Sequence, residues 1–90
     1  MAVASIRVLM DLPPSQRYAA ATLAALDHAA VGLGLDVDVR VLSTDTLHDQ
    51  AEVLSSSAIV VGPGSPYRDP EAVLTSIRLA RERGIPLVGT

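Results

Sequence analysis

The sequence predicts an open, parallel α/β sheet with helices on both faces, built in the order βαβαβαβ, and three observations predict it. Short β-rich runs alternate with stretches of helical period along all 90 residues. One of those runs alternates apolar with charged residues, whereas another is bare apolar. Proline and glycine stand at nearly every junction between them. Strands separated by helices need crossover connections, which makes their pairing parallel.

Residues 3–10 open the chain as a strand, with Ile6, Val8 and Met10 on one face. Asp11-Leu12-Pro13-Pro14 stops it, because proline lacks a ladder donor and restricts the residue before it. Ser15 is the expected cap of the helix that follows. Ala19, Leu23, Leu26, Ala30 and Leu33 form one stripe at helical spacing, and Gly32 and Gly34 end it. In residues 35–42, Val37, Val39 and Val41 point one way and Asp36, Asp38 and Arg40 the other, the pattern of a half-wet outer strand. A short helix is expected over 46–54, with Leu47, Ala51 and Leu54 on one side.

Ala58-Ile59-Val60-Val61 has no alternation and reads as a strand covered on both faces. Asp69-Pro70-Glu71 is a helix start with a cap, a proline in the first turn and an acid beside it. The helix runs through Val73, Ile77 and Ala80, ends basic with Arg81 and Arg83, and stops at Gly84. Ile85-Pro86-Leu87-Val88-Gly89 reads as a second buried strand. An outer second strand implies the spatial order 2-1-3-4 of a flavodoxin-like sheet. A further strand normally flanks the fourth, and nothing after Gly89 builds one, so the domain reads as incomplete.

Composition narrows the function classes. A 9.4 kDa chain with 49% apolar and 19% charged residues and a mean hydropathy of +0.36 is one small globular domain, not a disordered tail. A core this small is marginal, since such a chain buries only roughly 60% of its unfolded surface. The net charge of −3 gives no basic footprint for nucleic acid. No apolar run is long enough for a membrane span, and Arg7 inside the first apolar stretch argues against a secretory signal, so the cytoplasm is the expected location. With no cysteine, these residues hold no disulfide, thiol nucleophile or cysteine metal site.

Ligands of an open parallel sheet bind beyond the carboxyl ends of its strands. Three segments meet there: residues 11–15, residues 62–68, and Gly89-Thr90. In Gly62-Pro63-Gly64-Ser65-Pro66, two glycines let the backbone approach a ligand and the prolines stiffen the turn. The loop reads either as an anion or oxyanion site of main-chain amides or as an ordinary tight turn. It is neither a Walker loop, lacking Gly-Lys-Ser/Thr, nor a dinucleotide fingerprint, lacking a third glycine. Asp11 at a strand end is a ligand contact or a turn residue, and Tyr67 and Arg68 contact a ligand or cover the helix start. His28, beside Asp27, reads as a surface histidine; His48 and Asp49 have no third ligand, so no metal site is expected. No cofactor is expected either: two tyrosines, Tyr18 and Tyr67, are poor provision for stacking FMN.

Two stretches, 58–68 (AIVVGPGSPYR) and 80–90 (ARERGIPLVGT), resemble the middle of a class I glutamine amidotransferase domain, of the type forming the glutaminase half of CTP synthase. They are similar too to bacterial proteins related to the C-terminal region of CTP synthase, some of them selenoproteins. Over 1–57 the resemblance is looser, and it is mainly the strand–helix order that agrees. The resemblance implies that Gly64 gives a backbone N–H to an oxyanion hole, that Gly62 and Ser65 shape a glutamine pocket, and that the fourth strand leads into a nucleophile elbow after Gly89-Thr90. Catalytic His and Glu residues come later in that family. Residues 1–90 are therefore expected to be the N-terminal half of such a domain, ending just before the nucleophile and inactive alone. A selenocysteine codon at that place, read as a stop, would end the product at Thr90. The alternatives from the residues themselves are a small module binding an anionic ligand at 62–65, and an interaction domain that self-associates through its exposed fourth strand.

Overall fold

The computed structural model describes residues 3–47, 49–64 and 66–89. Its elements run β1 (Ala4–Leu9), α1 (Arg17–Leu33), β2 (Val37–Leu42), a 3-10 turn (Thr44–Thr46), α2 (Ala51–Leu54), β3 (Ala58–Val61), α3 (Pro70–Arg83) and β4 (Leu87–Gly89). The four strands form one sheet in the order β2-β1-β3-β4. Every pairing is parallel: Ala4 stands opposite Val37, Ile6 opposite Ala58, and Ile59 opposite Leu87. The molecule is thus the flavodoxin-like α/β sheet that the strand patterns predict.

Alternation along the strands sends side chains to two separate cores. Leu9, Ile59 and Val61 pack with Leu47, Val53, Val73 and Ala80 on the face covered by α2 and α3. Val8, Met10 and Val60 pack with Ala19 on the face covered by α1, where Ile6, Leu23, Leu26, Val39 and Val41 join half-buried. As expected of an outer strand, β2 keeps Arg40 exposed while Val39 and Val41 face that second core.

Several local expectations are corrected. The first helix is capped by Gln16, whose Oε1 accepts from the N–H groups of Tyr18 at 2.7 Å and Ala19 at 3.1 Å, and not by Ser15. A turn closed by Gln16 N–H on Pro13 O at 2.9 Å sets the chain so that residue 16 precedes the helix. Gly34 alone, at φ 66°, forms the stop, and Gly32 lies inside the helix. Leu33 is 72% exposed, so it leaves the predicted stripe. A helix of this length spans about 25 Å, against about 20 Å for a six-residue strand, so its last turn overruns the sheet.

The helix expected over 46–54 is broken in two by Gln50, at φ 58° the non-glycine residue with positive φ among those described. That break rotates the face: Val53 is buried and Ala51 exposed. On α3 the buried residues are Ala72, Val73, Ser76 and Ala80, while Ile77 is 37% exposed. Asp69 caps α3 as predicted, accepting from Ala72 N–H at 3.0 Å. β4 is not a buried strand: Val88 is 61% exposed and Gly89 is exposed, with Leu87 alone reaching the core. It stands at the end of the sheet order, and α1 lies over the other strands.

Candidate functional site

At the carboxyl ends of β1, β2 and β3, three loops are tied together by one carboxylate. Asp11 follows β1; its Oδ1 accepts from Thr44 N–H at 2.9 Å, and its Oδ2 accepts from Thr44 Oγ1 at 2.8 Å and Arg68 N–H at 2.8 Å. Thr44, fully buried just after β2, accepts in turn from Asp69 N–H at 3.0 Å through the same hydroxyl. Burial raises the Asp11 pKa, but the N–H groups of Arg68 and Thr44, the Thr44 hydroxyl and the Arg68 charge outweigh it and hold the carboxyl below its ordinary value of 3.8.

The glycine loop leaves β3 against this frame. Gly62 is buried, and its N–H donates to Leu9 O at 2.9 Å. Its carbonyl accepts from Tyr67 Oη at 2.7 Å, so the tyrosine bridges the loop while its ring packs on the α3-side core. Gly64 adopts φ 109°, a conformation L side chains rarely take, and a Cβ there would stand 2.6 Å from Leu12 Cγ. Among the described residues, the Gly64 N–H has no hydrogen-bond partner. Gly62 is thus held by the sheet and Gly64 is shaped by its contact with Leu12, and among the described residues the Gly62 N–H is committed while the Gly64 N–H is not.

The sequence-derived candidates fall into distinct places. Asp11, Gly62, Gly64, Tyr67 and Arg68 come together at this edge, with both Asp11 oxygens engaged by the chain itself. Besides its N–H contact, Arg68 places its guanidinium 3.8 Å from Asp45. Ser65, His48 and Thr90 lie outside the described residues. His28 is exposed on α1, and Asp49 is exposed with Oδ1 accepting from Ala51 N–H at 3.1 Å. Among the described residues no three His, Cys, Asp or Glu side chains gather to hold a metal ion, and no helix is long and apolar enough to cross a membrane.

Four polar residues, at the site or elsewhere in the fold, escape sequence reasoning. Thr44 is the partner that makes Asp11 a junction, signalled by nothing more than the polar run 43–46 after a strand. Gln50 and Ser76 form a buried pair on the α3 face: Ser76 Oγ donates to Gln50 Oε1 at 2.7 Å, and Gln50 Nε2 donates to Ala72 O at 3.3 Å. These bonds offset a backbone cost of about 1–2 kcal/mol for a left-handed non-glycine residue. Arg7, 8% exposed inside β1, donates through Nε to Glu52 at 3.1 Å and through Nη1 to Asp38 O at 3.1 Å, which ties β1 to α2 and β2. A charge in the middle of a strand was its signal.

No family model matches the chain. Over 67 residues it is 36% identical to the CTP synthase of Haloarcula marismortui, a match covering 72% of this chain and 12% of that protein. The glutaminase domain of Trypanosoma brucei CTPS with bound acivicin superposes with a TM-score of 0.83, at 20% identity, over 97% of this chain and 36% of that one. Sequence and fold therefore agree on a likeness to CTP synthase and its glutaminase domain, of which this chain spans a minor part.

Proposed function

We propose that residues 1–90 form the first part of a glutaminase-like domain and contribute its oxyanion loop. The observation that carries this reading is Gly64: it has a positive φ, lies against Leu12 and keeps its N–H without a partner among the described residues, whereas the neighbouring Gly62 N–H is spent on Leu9. A main-chain donor held in this way suits the negative oxygen that develops when a carboxamide is attacked. Gly62 and Ser65 shape the pocket around it in this reading, and the ligand is glutamine or a related carboxamide. The acivicin bound by the trypanosomal domain supports that choice, since acivicin is a glutamine analogue.

The 90 residues contain no cysteine. An oxyanion donor lowers a barrier only where a nucleophile creates the oxyanion, so the chain by itself is proposed to hydrolyse no glutamine. Two measurements test this. Glutamate release from glutamine by the purified 90-residue chain is expected to stay at the buffer rate, and turnover would overturn the proposal of inactivity. Addition of glutamine is expected to shift the Gly64 amide resonance in a 1H–15N spectrum, and a spectrum unmoved at saturating glutamine removes the oxyanion-loop reading.

A second reading rests on a different observation. β4 ends the sheet order, and its Val88 is 61% exposed, lining an open groove of about 420 Å3 with Ala21, Ala25, Leu26 and Val60. A bare strand edge beside apolar surface is a template for pairing, so the chain is proposed to self-associate there. Light scattering across a concentration series is the test. A mass that stays monomeric at the highest concentration rejects it.

A further inference from the structure

We infer that Asp11 is a positioning residue for the glycine loop: its carboxylate, and the Leu12 side chain it carries next to it, hold Gly64 in the conformation that leaves the Gly64 N–H available. The inference deepens the oxyanion-loop reading and rests on it for its functional meaning. From Gly62 to Asp69 the loop is fixed at both ends, and the two fixings differ in kind. Its start is held by the sheet, through Gly62 N–H on Leu9 O at 2.9 Å. Its end is held by side chains, through Arg68 N–H on Asp11 Oδ2 at 2.8 Å and Asp69 N–H on Thr44 Oγ1 at 3.0 Å. Thr44 is itself set by Asp11, which accepts from both its N–H and its hydroxyl. Between the two ends Leu12 occupies the space a Gly64 side chain would need.

Three donors converge on Asp11, and only an ionised carboxylate accepts them all. Protonation or replacement by asparagine turns one acceptor into a donor facing another donor. That change frees the Arg68 end of the loop and the Leu12 contact together. The other charged groups at this junction are the Arg68 guanidinium, Asp45 at 3.8 Å from it, and Asp69, whose Oδ1 is already committed to Ala72 N–H. Asp45 and Asp69 are the other carboxylates at this junction, so they are the groups from which Asp11 has to be separated.

The test is a 1H–15N titration of the 90-residue chain without ligand, from neutral pH down through the carboxylate range, in parallel with Asp11→Asn, Asp11→Glu and Asp45→Asn. The amides of Thr44, Gly64 and Arg68 are expected to move together with one midpoint in the wild type and in Asp45→Asn. In Asp11→Asn they are expected to lie at their acid-end values already at neutral pH, while Val8 and Ile59 in the strands stay in place. Asp11→Glu, which keeps the charge, is expected to recover part of the neutral-pH positions. A Gly64 resonance that stays fixed while Arg68 titrates would overturn the inference, as would an Asp11→Asn spectrum with Gly64 unmoved. Should Asp11→Asn fail to fold, the wild-type titration decides alone. Because no ligand is present, a loop that obeys Asp11 but ignores added glutamine rejects the oxyanion-loop reading and leaves the positioning role standing.

Discussion

The two faces of the sheet are filled to different degrees. Under α2 and α3, eight apolar residues are buried in one cluster, and Tyr67, Ile85 and Leu87 close its margins. Under α1, four are buried, and the cluster gives way to an open groove beside Val88. Right-handed crossovers explain the imbalance. In the order 2-1-3-4, the step from β1 to β2 runs opposite to the steps from β2 to β3 and from β3 to β4, so one connection crosses one face and two cross the other. A single helix then has to cover a four-stranded sheet. The difference teaches that stability on one side of a sheet and availability on the other follow from strand order alone.

Substitutions separate the faces, beginning with the largest effect. Leu9→Ala removes a fully buried side chain from the filled face and is expected to cost about 2–5 kcal/mol in urea unfolding. Leu26→Ala, half-buried at the groove, is expected to cost roughly 1–2 kcal/mol, because less apolar surface is lost and the site is already open. Equal losses for these two variants would show the two faces to be packed alike.

Acid is expected to loosen the loop end of the filled face. The folded-state pKa of Asp11 is depressed, so the stability it contributes is complete above the unfolded value near 3.8 and is lost as pH falls through the folded value. Stability measured against pH is therefore expected to decline below that point in the wild type and less steeply in Asp11→Asn. At the other extreme, Val88→Lys is expected to change stability by no more than about 0.5 kcal/mol while reducing the mass seen by light scattering at high concentration.

The fold was legible because its signals were periodic. The alternation of 37–41 and the bare run 58–61 place an outer and an inner strand without reference to any contact. The misreading of β4 has the same root: Leu87 and Val88 are as apolar as Ile59 and Val60, but burial of a strand depends on what lies over and beside it. Of the candidate site, the glycine loop and Asp11 were visible as residue types at strand ends. Their wiring was not, since Thr44 lies 33 positions from Asp11 in the chain and nothing local marks a threonine as its partner. Gln50 was hidden for another reason: glutamine at positive φ contradicts its own propensity and is held there by Ser76, a contact made between distant segments.

The placement of β1 between β2 and β3 also bears on the order in which the chain can assemble. β1 is an inner strand, yet its nearest partner along the chain is residues 37–42 and its second is residues 58–61. A nascent chain therefore carries Val8, Leu9 and Met10 unpaired until residues 37–42 have followed, and no local hairpin can shelter them. Parallel pairing across such distances makes slow refolding the expectation, with the exposed first strand as the segment for chaperones to protect.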